Sequence, residues 1–182
     1  MDRVKTPNDS LTVMTNIVLP SETNYLNNMF GGELLSRMDK ACSISARRHA
    51  HTHRVVTVSV NQVSFDHPIP VGSIVKIESK VTRAFKSSME IIADVWLEDP
   101  STGEITKTNQ GIYTFVAVDA NNRPVPVPKI VPQSQEEQDR YNAALRRKQL
   151  SLVISKRMEP EDATELRALL FPDLLEKTQD KN

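Results

Sequence analysis

Between Ser21 and Ala41 the chain reads Ser-Glu-Thr-Asn-Tyr-Leu-Asn-Asn-Met-Phe-Gly-Gly-Glu-Leu-Leu-Ser-Arg-Met-Asp-Lys-Ala, an asparagine-rich stretch, a Gly-Gly pair and then a single out-of-place acid. With Leu35 as zero on a helical wheel of about 100° per residue, Leu34, Met38, Ala41, Cys42 and Ala46 fall within about 120° of it, a stripe suited to burial. Glu33, Arg37 and Lys40 fall on the opposite, solvated side. Asp39 projects only about 40° from Leu35, so the helix carries a carboxylate toward its buried side. Such a group is costly unless it is paired or put to use. A bond to a neighbouring backbone group or arginine would account for it; so would work as a general base or nucleophile.

Gly31 and Gly32 stand where that helix should begin. A helix N-terminus leaves backbone N–H groups unpaired and carries partial positive charge. Without a Cβ, a ligand can approach those donors closely. An N–H aimed at a carbonyl oxygen stabilises the oxyanion formed in acyl transfer. Asp39 lies about two turns, roughly 10 Å, beyond Gly32. For a small substrate, one helix's N-terminus and its own acid are therefore expected to serve different sites. A dimer apposing two such helices would bring one Asp39 near the other N-terminus. Taken alone, Gly-Gly also fits a tight turn.

The elements that must position these groups can be read from periodicity. Val56, Val58 and Val60 alternate with polar residues, as do Val75, Ile77 and Val81. Met89, Ile91, Ala93, Val95 and Leu97 make the clearest run, followed by Tyr113, Phe115 and Ala117. These are half-buried antiparallel strands, with turn chemistry at Asp99–Gly103 and Asp119–Asn122. The inferred body is one helix, roughly 32–50, wrapped by a curved antiparallel sheet with a first strand near 11–19. Pro124, Pro126, Pro128 and Pro132 end the strands in an extended segment. Ser134 with Glu137 reads as a capping box, opening a helix to about Arg157. Pro160 opens a second, shorter helix carrying Leu166, Leu169 and Leu170. We expect a domain at 8–132 and a helical tail at 133–182.

Lysine plus arginine balance aspartate plus glutamate at 23 each, so no general attraction to nucleic acid or anionic membrane is indicated. Arg146-Arg147-Lys148 reads as a solvated face, without the aromatic support of a nucleic-acid site. The single Cys42 excludes an internal disulfide, fits a reducing cytoplasmic compartment, and on the apolar stripe reads as a core residue. No apolar run approaches a membrane span of about 18 residues, and no signal sequence is seen. His49, His51 and His53 could chelate only on an extended strand, and no cysteine or acidic cluster completes a shell, so no metal is expected. Asp66 and His67 point to opposite faces of a strand that ends at Pro68, which makes them structural rather than a catalytic pair.

Thr23-Asn24, Phe30-Gly31-Gly32-Glu33-Leu34-Leu35 and Met38-Asp39-Lys40-Ala41 resemble the signature of the hotdog-fold acyl-CoA thioesterases, acyl-CoA hydrolase branch. Further blocks follow in order: Arg54-Val55-Val56-Thr57, Val63-Ser64-Phe65-Asp66-His67-Pro68-Ile69-Pro70-Val71-Gly72, Ser87-Ser88-Met89-Glu90 and Thr114-Phe115-Val116-Ala117-Val118-Asp119. The resemblance spans roughly residues 10–130. It implies an α+β hotdog fold and hydrolysis of acyl-CoA to free acid and CoA, without a metal or other cofactor. It places the catalytic acid on Asp39, the catalytic asparagine on Asn24 and the carbonyl-polarising N–H on Gly32. Asp39 would serve as general base on water or as nucleophile, working with the Asn24 loop of a second protomer. The chain has no internal repeat, so a homodimer would be the minimal active unit, and a hexameric trimer of dimers is common among relatives. The loop reads Asn24-Tyr25-Leu26-Asn27-Asn28-Met29 where many relatives have a glycine and smaller residues. Asn27 or Asn28 can take the glycine's place because asparagine tolerates left-handed backbone angles. CoA phosphates need cationic partners or free N–H groups, and Arg54, Lys86, Ser87 and Ser88 are the candidate contacts, with Lys129 behind them. The alternative on the same fold is a non-hydrolytic acyl-CoA sensor; a hydratase would require a histidine in the motif helix, which has none before position 49.

Overall fold

The alternating segments form strands and the motif segment forms a helix. In chain order the elements are β1 (Val4–Lys5), β2 (Thr12–Ile17), α1 (Gly31–Ala50), β3 (Val55–Phe65), β4 (Ile74–Ala84), β5 (Ser88–Glu98), β6 (Ile105–Ala117), β7 (Lys129–Ile130), α2 (Gln135–Ile154) and α3 (Thr164–Leu170). The computed structural model describes residues 4–171, so the last residues of the expected tail, 172–182, lie outside the described residues. The chain divides into two compact units between Gln133 and Ser134.

In the first unit, five strands pair antiparallel in the order β2-β4-β5-β6-β3. One side chain in two faces α1. Val75, Ile77 and Val81 on β4, Met89, Ile91, Ala93 and Val95 on β5, and Tyr113, Phe115 and Ala117 on β6 are all buried. At Gly111 the sheet lies directly under the Met38 side chain of α1. A Cβ there would sit 2.4 Å from the Met38 methyl and 2.9 Å from the Tyr113 ring, so a larger residue would require the Met38 side chain and the Tyr113 ring to shift. Below it, Ser45 donates to the Ser79 carbonyl at 3.0 Å and bonds the hydroxyls of Thr12 (2.9 Å) and Ser79 (2.8 Å), which satisfies a polar position inside the core.

Two expectations change. The buried face of α1 runs Leu34, Arg37, Met38, Ala41, Cys42, Ser45, Ala46 and His49. Its centre lies nearer Met38 and Ser45 than Leu35, so Arg37, expected in solvent, turns inward. Strand β3 departs as well. Val56, Val58 and Val60 are 45%, 52% and 50% exposed in the single chain. The register slips between Thr57 and Ser59 and again between Val60 and Gln62. Each slip inserts a residue and inverts the alternation, so Thr57, Val60, Val63 and Phe65 pair with the helix-facing row Phe115, Tyr113, Gly111 and Asn109.

The proline segment runs extended as expected but does not end the strands, since β7 forms between Pro128 and Pro132 and pairs parallel with β1. Val125 N–H donates to the Ala117 carbonyl (2.9 Å) and Val127 N–H to the Lys86 carbonyl (3.1 Å), which lays the segment along the sheet end. In the second unit Ser134 caps α2, accepting from the Glu137 N–H at 3.2 Å. Pro160 opens only a short 3-10 turn, Pro160–Asp162, before α3 begins at Thr164.

Candidate active site

The N-terminus of α1 is built to be left open. Its first-turn donors from Glu33 and Leu34 both reach the Phe30 carbonyl, at 3.0 and 3.2 Å, and Phe30 itself offers no side-chain cap. Gly31 is tightly enclosed, since a Cβ would meet the Phe65 ring at 3.2 Å. Gly32 is different. A Cβ there would meet nothing within 4 Å, so packing within the chain does not demand this glycine. What it provides is a flank without a Cβ at the positive end of a helix.

Gly32, Ser36 and Asp39 line one open cavity of about 580 Å³, walled by Leu35, Val60, Val63 and Tyr113. In the single chain the helix's N-terminus and its acid line the same cavity, although about 10 Å of helix separates them. Seven residues turn a helix through nearly two full revolutions, so both groups fall on one flank within about 20°. Asp39 is half-buried there. Its Oδ1 accepts from the Thr57 hydroxyl at 2.9 Å, the pairing that a carboxylate in this position needs. Thr57 had no role assigned from the sequence. It was visible only as the last residue of the Arg54-Val55-Val56-Thr57 block, because the bulge that turns it toward α1 leaves no periodic signal.

Two neighbours stay protonated at neutral pH. Burial, and then the Asp39 charge, push the Cys42 thiol well above its ordinary value. Burial, followed by Cys42 and Asp39, raises the Tyr113 phenol as well. Cys42 is a core residue and not a nucleophile.

Asn24 lies elsewhere. It lines a second cavity, about 290 Å³, with Gly31, Phe65 and His67, and does not join Asp39 within one chain. Its side-chain carbonyl accepts from the N–H groups of Leu26 (2.9 Å) and Asn28 (3.2 Å), and its backbone bonds Asn27 and Asn28. This spends the amide oxygen on the loop and leaves the side-chain NH2 for a ligand. Asn27 takes the left-handed angle, with φ 57°, so of the two candidates it replaces the glycine.

Arg54 and the turn Lys86-Ser87-Ser88 gather at one end of the sheet. The Arg54 carbonyl accepts from Val118 N–H and the Ser87 carbonyl from Ala117 N–H, both at 3.0 Å, and Ser88 pairs with Val116. None of the four lines the Gly32–Asp39 cavity. They stand beyond its Asp39 end, since Arg54 immediately precedes β3, three residues before Thr57.

His49 is buried in the last turn of α1, His51 ends the helix with φ 52°, and His53 lies exposed in the next loop. Among the described residues no three groups stand together as metal ligands, and no helix is long and apolar enough to cross a membrane. Asp66 accepts from the Ser64 hydroxyl at 2.9 Å while His67 faces the Asn24 cavity, so the two do not form a pair.

Against known proteins, a family profile described as the thioesterase superfamily matches residues 26–104. The chain is 42% identical over 139 residues to an uncharacterised acyl-CoA thioester hydrolase, YkhA, of Bacillus subtilis, covering 76% of this chain and 80% of that one. An apo-hexameric acyl-CoA thioesterase superposes with a TM-score of 0.78 at 36% identity, over 81% of this chain and 94% of that one. An acyl-CoA hydrolase from Staphylococcus aureus, solved with butyryl coenzyme A, coenzyme A and coenzyme A disulfide, gives 0.77 at 30% identity over 91% and 99%.

Proposed function

The chain belongs to the thioesterase superfamily as a hotdog-fold acyl-CoA thioester hydrolase, and from that premise we propose that it converts fatty acyl-CoA to free acid and CoA at a site shared between two protomers. The observation that carries the reading is Asp39, a half-buried carboxylate braced by Thr57 in the cavity that Gly32 also lines.

In the proposed reaction the thioester carbonyl oxygen sits at the open N-terminus of α1, where the Gly32 N–H stabilises the developing oxyanion. Asp39 takes a proton from water as its oxygen bonds the carbonyl carbon; collapse breaks the C–S bond and CoA leaves as a thiolate that regains a proton. Attack by Asp39 itself would give a mixed anhydride, which water then hydrolyses to the same products. Asn24, through its free side-chain NH2, orients the water or the thioester. The chemistry calls for no metal or other cofactor. Arg54, Lys86, Ser87 and Ser88, at the sheet end beyond Asp39, would meet the CoA phosphates.

Two features support a shared site. Asn24 and Asp39 occupy separate cavities in one chain. Strand β3 is a sheet edge with Val56, Val58 and Val60 exposed, the sort of apolar edge that a second copy covers. A homodimer is thus the proposed minimal unit, assembling as hexamers in the manner of the solved relative. A buried free cysteine suits a cytoplasmic enzyme. A mere sensor would have no use for the braced carboxylate.

The test is release of free CoA from short- to long-chain acyl-CoAs. Wild type should release it, and Asp39→Asn should lose at least about a thousandfold in kcat while remaining a folded oligomer. Asn24→Ala should be similarly weak. Mixing the two inactive variants should restore about a quarter of wild-type activity, because in a two-fold dimer half the pairs are mixed and each carries one intact site. Failure of the mixture to recover would overturn the shared site; no release by wild type would overturn the hydrolase.

A further inference from the structure

The residue that most contradicts its position on the helical wheel is Arg37. It is 9% exposed on the buried face of α1. Its Nη2 donates to Glu22 Oε1 at 2.6 Å and to the Ile17 carbonyl at 3.3 Å, while its Nη1 is buried without a partner among the described residues. That is a poor arrangement if stability were its only purpose. A buried ion pair is commonly no better than apolar side chains of the same size, and an unsatisfied donor adds a cost.

What the pair joins suggests its use. Glu22 is the knot of the segment that carries Asn24. Its Oε2 accepts from Leu19 N–H at 2.8 Å, its carbonyl from Phe30 N–H at 2.9 Å, and its own N–H donates to the Leu19 carbonyl at 3.0 Å. Residue 22 thus ties the entry of the loop to its exit. Inside that closure Thr23 bridges Met29, and Asn24 braces Leu26 and Asn28. From outside, Met29 N–H donates to the Ile69 carbonyl at 2.7 Å and Val71 N–H to the Asn27 carbonyl at 2.9 Å. These bonds hold the loop to the β3–β4 connection. The link to α1 through charge is Arg37 to Glu22, and Arg37 lies two residues before Asp39.

We propose that the Arg37–Glu22 pair is a positioning clasp that fixes the Asn24 loop relative to α1, and with it the geometry of the reaction assigned above, on which this inference rests. Neither residue touches substrate. In a symmetric dimer each clasp sets where its own Asn24 is presented to the partner's site, and a shift of about 1 Å in such a group can cost on the order of a hundredfold in rate. The pair acts on kcat through Asn24 and leaves CoA binding to other residues.

The variants are Arg37→Met, Glu22→Gln and the double substitution, each measured for kcat, KM, thermal stability and amide hydrogen exchange over residues 23–30. Each single variant should lose about 10- to 100-fold in kcat with KM changed less than about threefold. The double variant should be no worse than either single one, because the clasp is already open. Exchange at the amides of Leu26 and Asn28 should speed up at least about tenfold, while the centre of α1 keeps its protection. Arg37→Lys, which restores the charge without the fork, should recover part of the rate. Unchanged kcat in Arg37→Met with active wild type would sink the clasp and spare the hydrolase. If wild type itself releases no CoA, the exchange data alone decide: unaltered protection at 26 and 28 overturns the clasp, and selective loss sustains it.

Discussion

The two ends of α1 are treated in opposite ways. At the C-terminal end every feature closes the helix. Lys5 donates to the carbonyls of Arg48 at 2.6 Å and His49 at 2.9 Å, His51 turns the chain out through a left-handed angle, and Arg47 and Arg48 stand near the negative pole. Arg48 also reaches back to the Leu11 carbonyl. At the N-terminal end the cap is a phenylalanine whose side chain can neither donate nor accept, and Gly32 leaves its flank bare. One element therefore has an anchored end that holds it in the sheet and an open end where the thioester is proposed to bind. The difference teaches where stability and activity are separately stored, and substitutions at the two ends should show the split.

The largest stability effect belongs at the closed end. Lys5→Met keeps the aliphatic stem but removes both charged hydrogen bonds to α1. We expect a loss of about 2–3 kcal/mol, read from urea unfolding, with kcat per folded oligomer unchanged. A proportional fall in kcat would mean that the two ends are coupled and that the contrast drawn between them is wrong.

At the open end the sign should reverse. Gly32→Ala meets no atom within the chain and replaces a poor helix former by a good one, so stability should hold or rise by up to about 0.5–1 kcal/mol. The added methyl stands where the thioester must approach the N–H, so kcat/KM should drop about tenfold, equivalent to about 1.4 kcal/mol in the transition state. A destabilised but fully active Gly32→Ala would show that this glycine serves the fold after all.

How much of this contrast could be read from the chain differs by element. The extent of α1 was legible because Gly-Gly marks its start and an apolar period runs through it; the observed helix, Gly31–Ala50, differs from the expected one by one residue. Strands β4, β5 and β6 were legible because inner strands bury one complete row. Strand β3 was not, since two bulges reset its alternation and its outer positions wait on a partner rather than on this chain. Arg37 was misplaced for a related reason. Its burial depends on Glu22 and Ile17, contacts remote in sequence that leave no periodic trace. Asp39 stood out by its place on the helical wheel and Gly32 by its place at the helix start, Asn24 through the family motif, whereas Thr57 emerged only once strand and helix were set side by side.

The smallest expected effect concerns the proton inventory of the closed end. His49 is fully buried, and its Nε2 lies 2.8 Å from the Pro128 carbonyl. A carbonyl only accepts, so Nε2 carries the hydrogen, and Nδ1 is left buried without a partner among the described residues. Burial is the main reason that its pKa is depressed; the Lys5 and His51 charges push the same way, while the bond to Pro128 and the Asp9 carboxylate oppose them. The folded protein therefore binds a proton at this site less readily than the unfolded chain, whose histidine titrates near pH 6.5. His49 contributes stability that is present above that value and is lost as the pH falls through it toward the lower folded pKa. The urea midpoint of wild type should decline between about pH 7.5 and pH 5. His49→Gln, whose amide can still donate to Pro128, should show a flatter profile. Because the carboxylates with lowered pKa values, Asp9, Glu22 and Asp99, titrate below this range, the difference between the two profiles isolates the histidine. Parallel profiles would place the acid sensitivity elsewhere and leave the closed end of α1 held by Lys5 without help from a neutral His49.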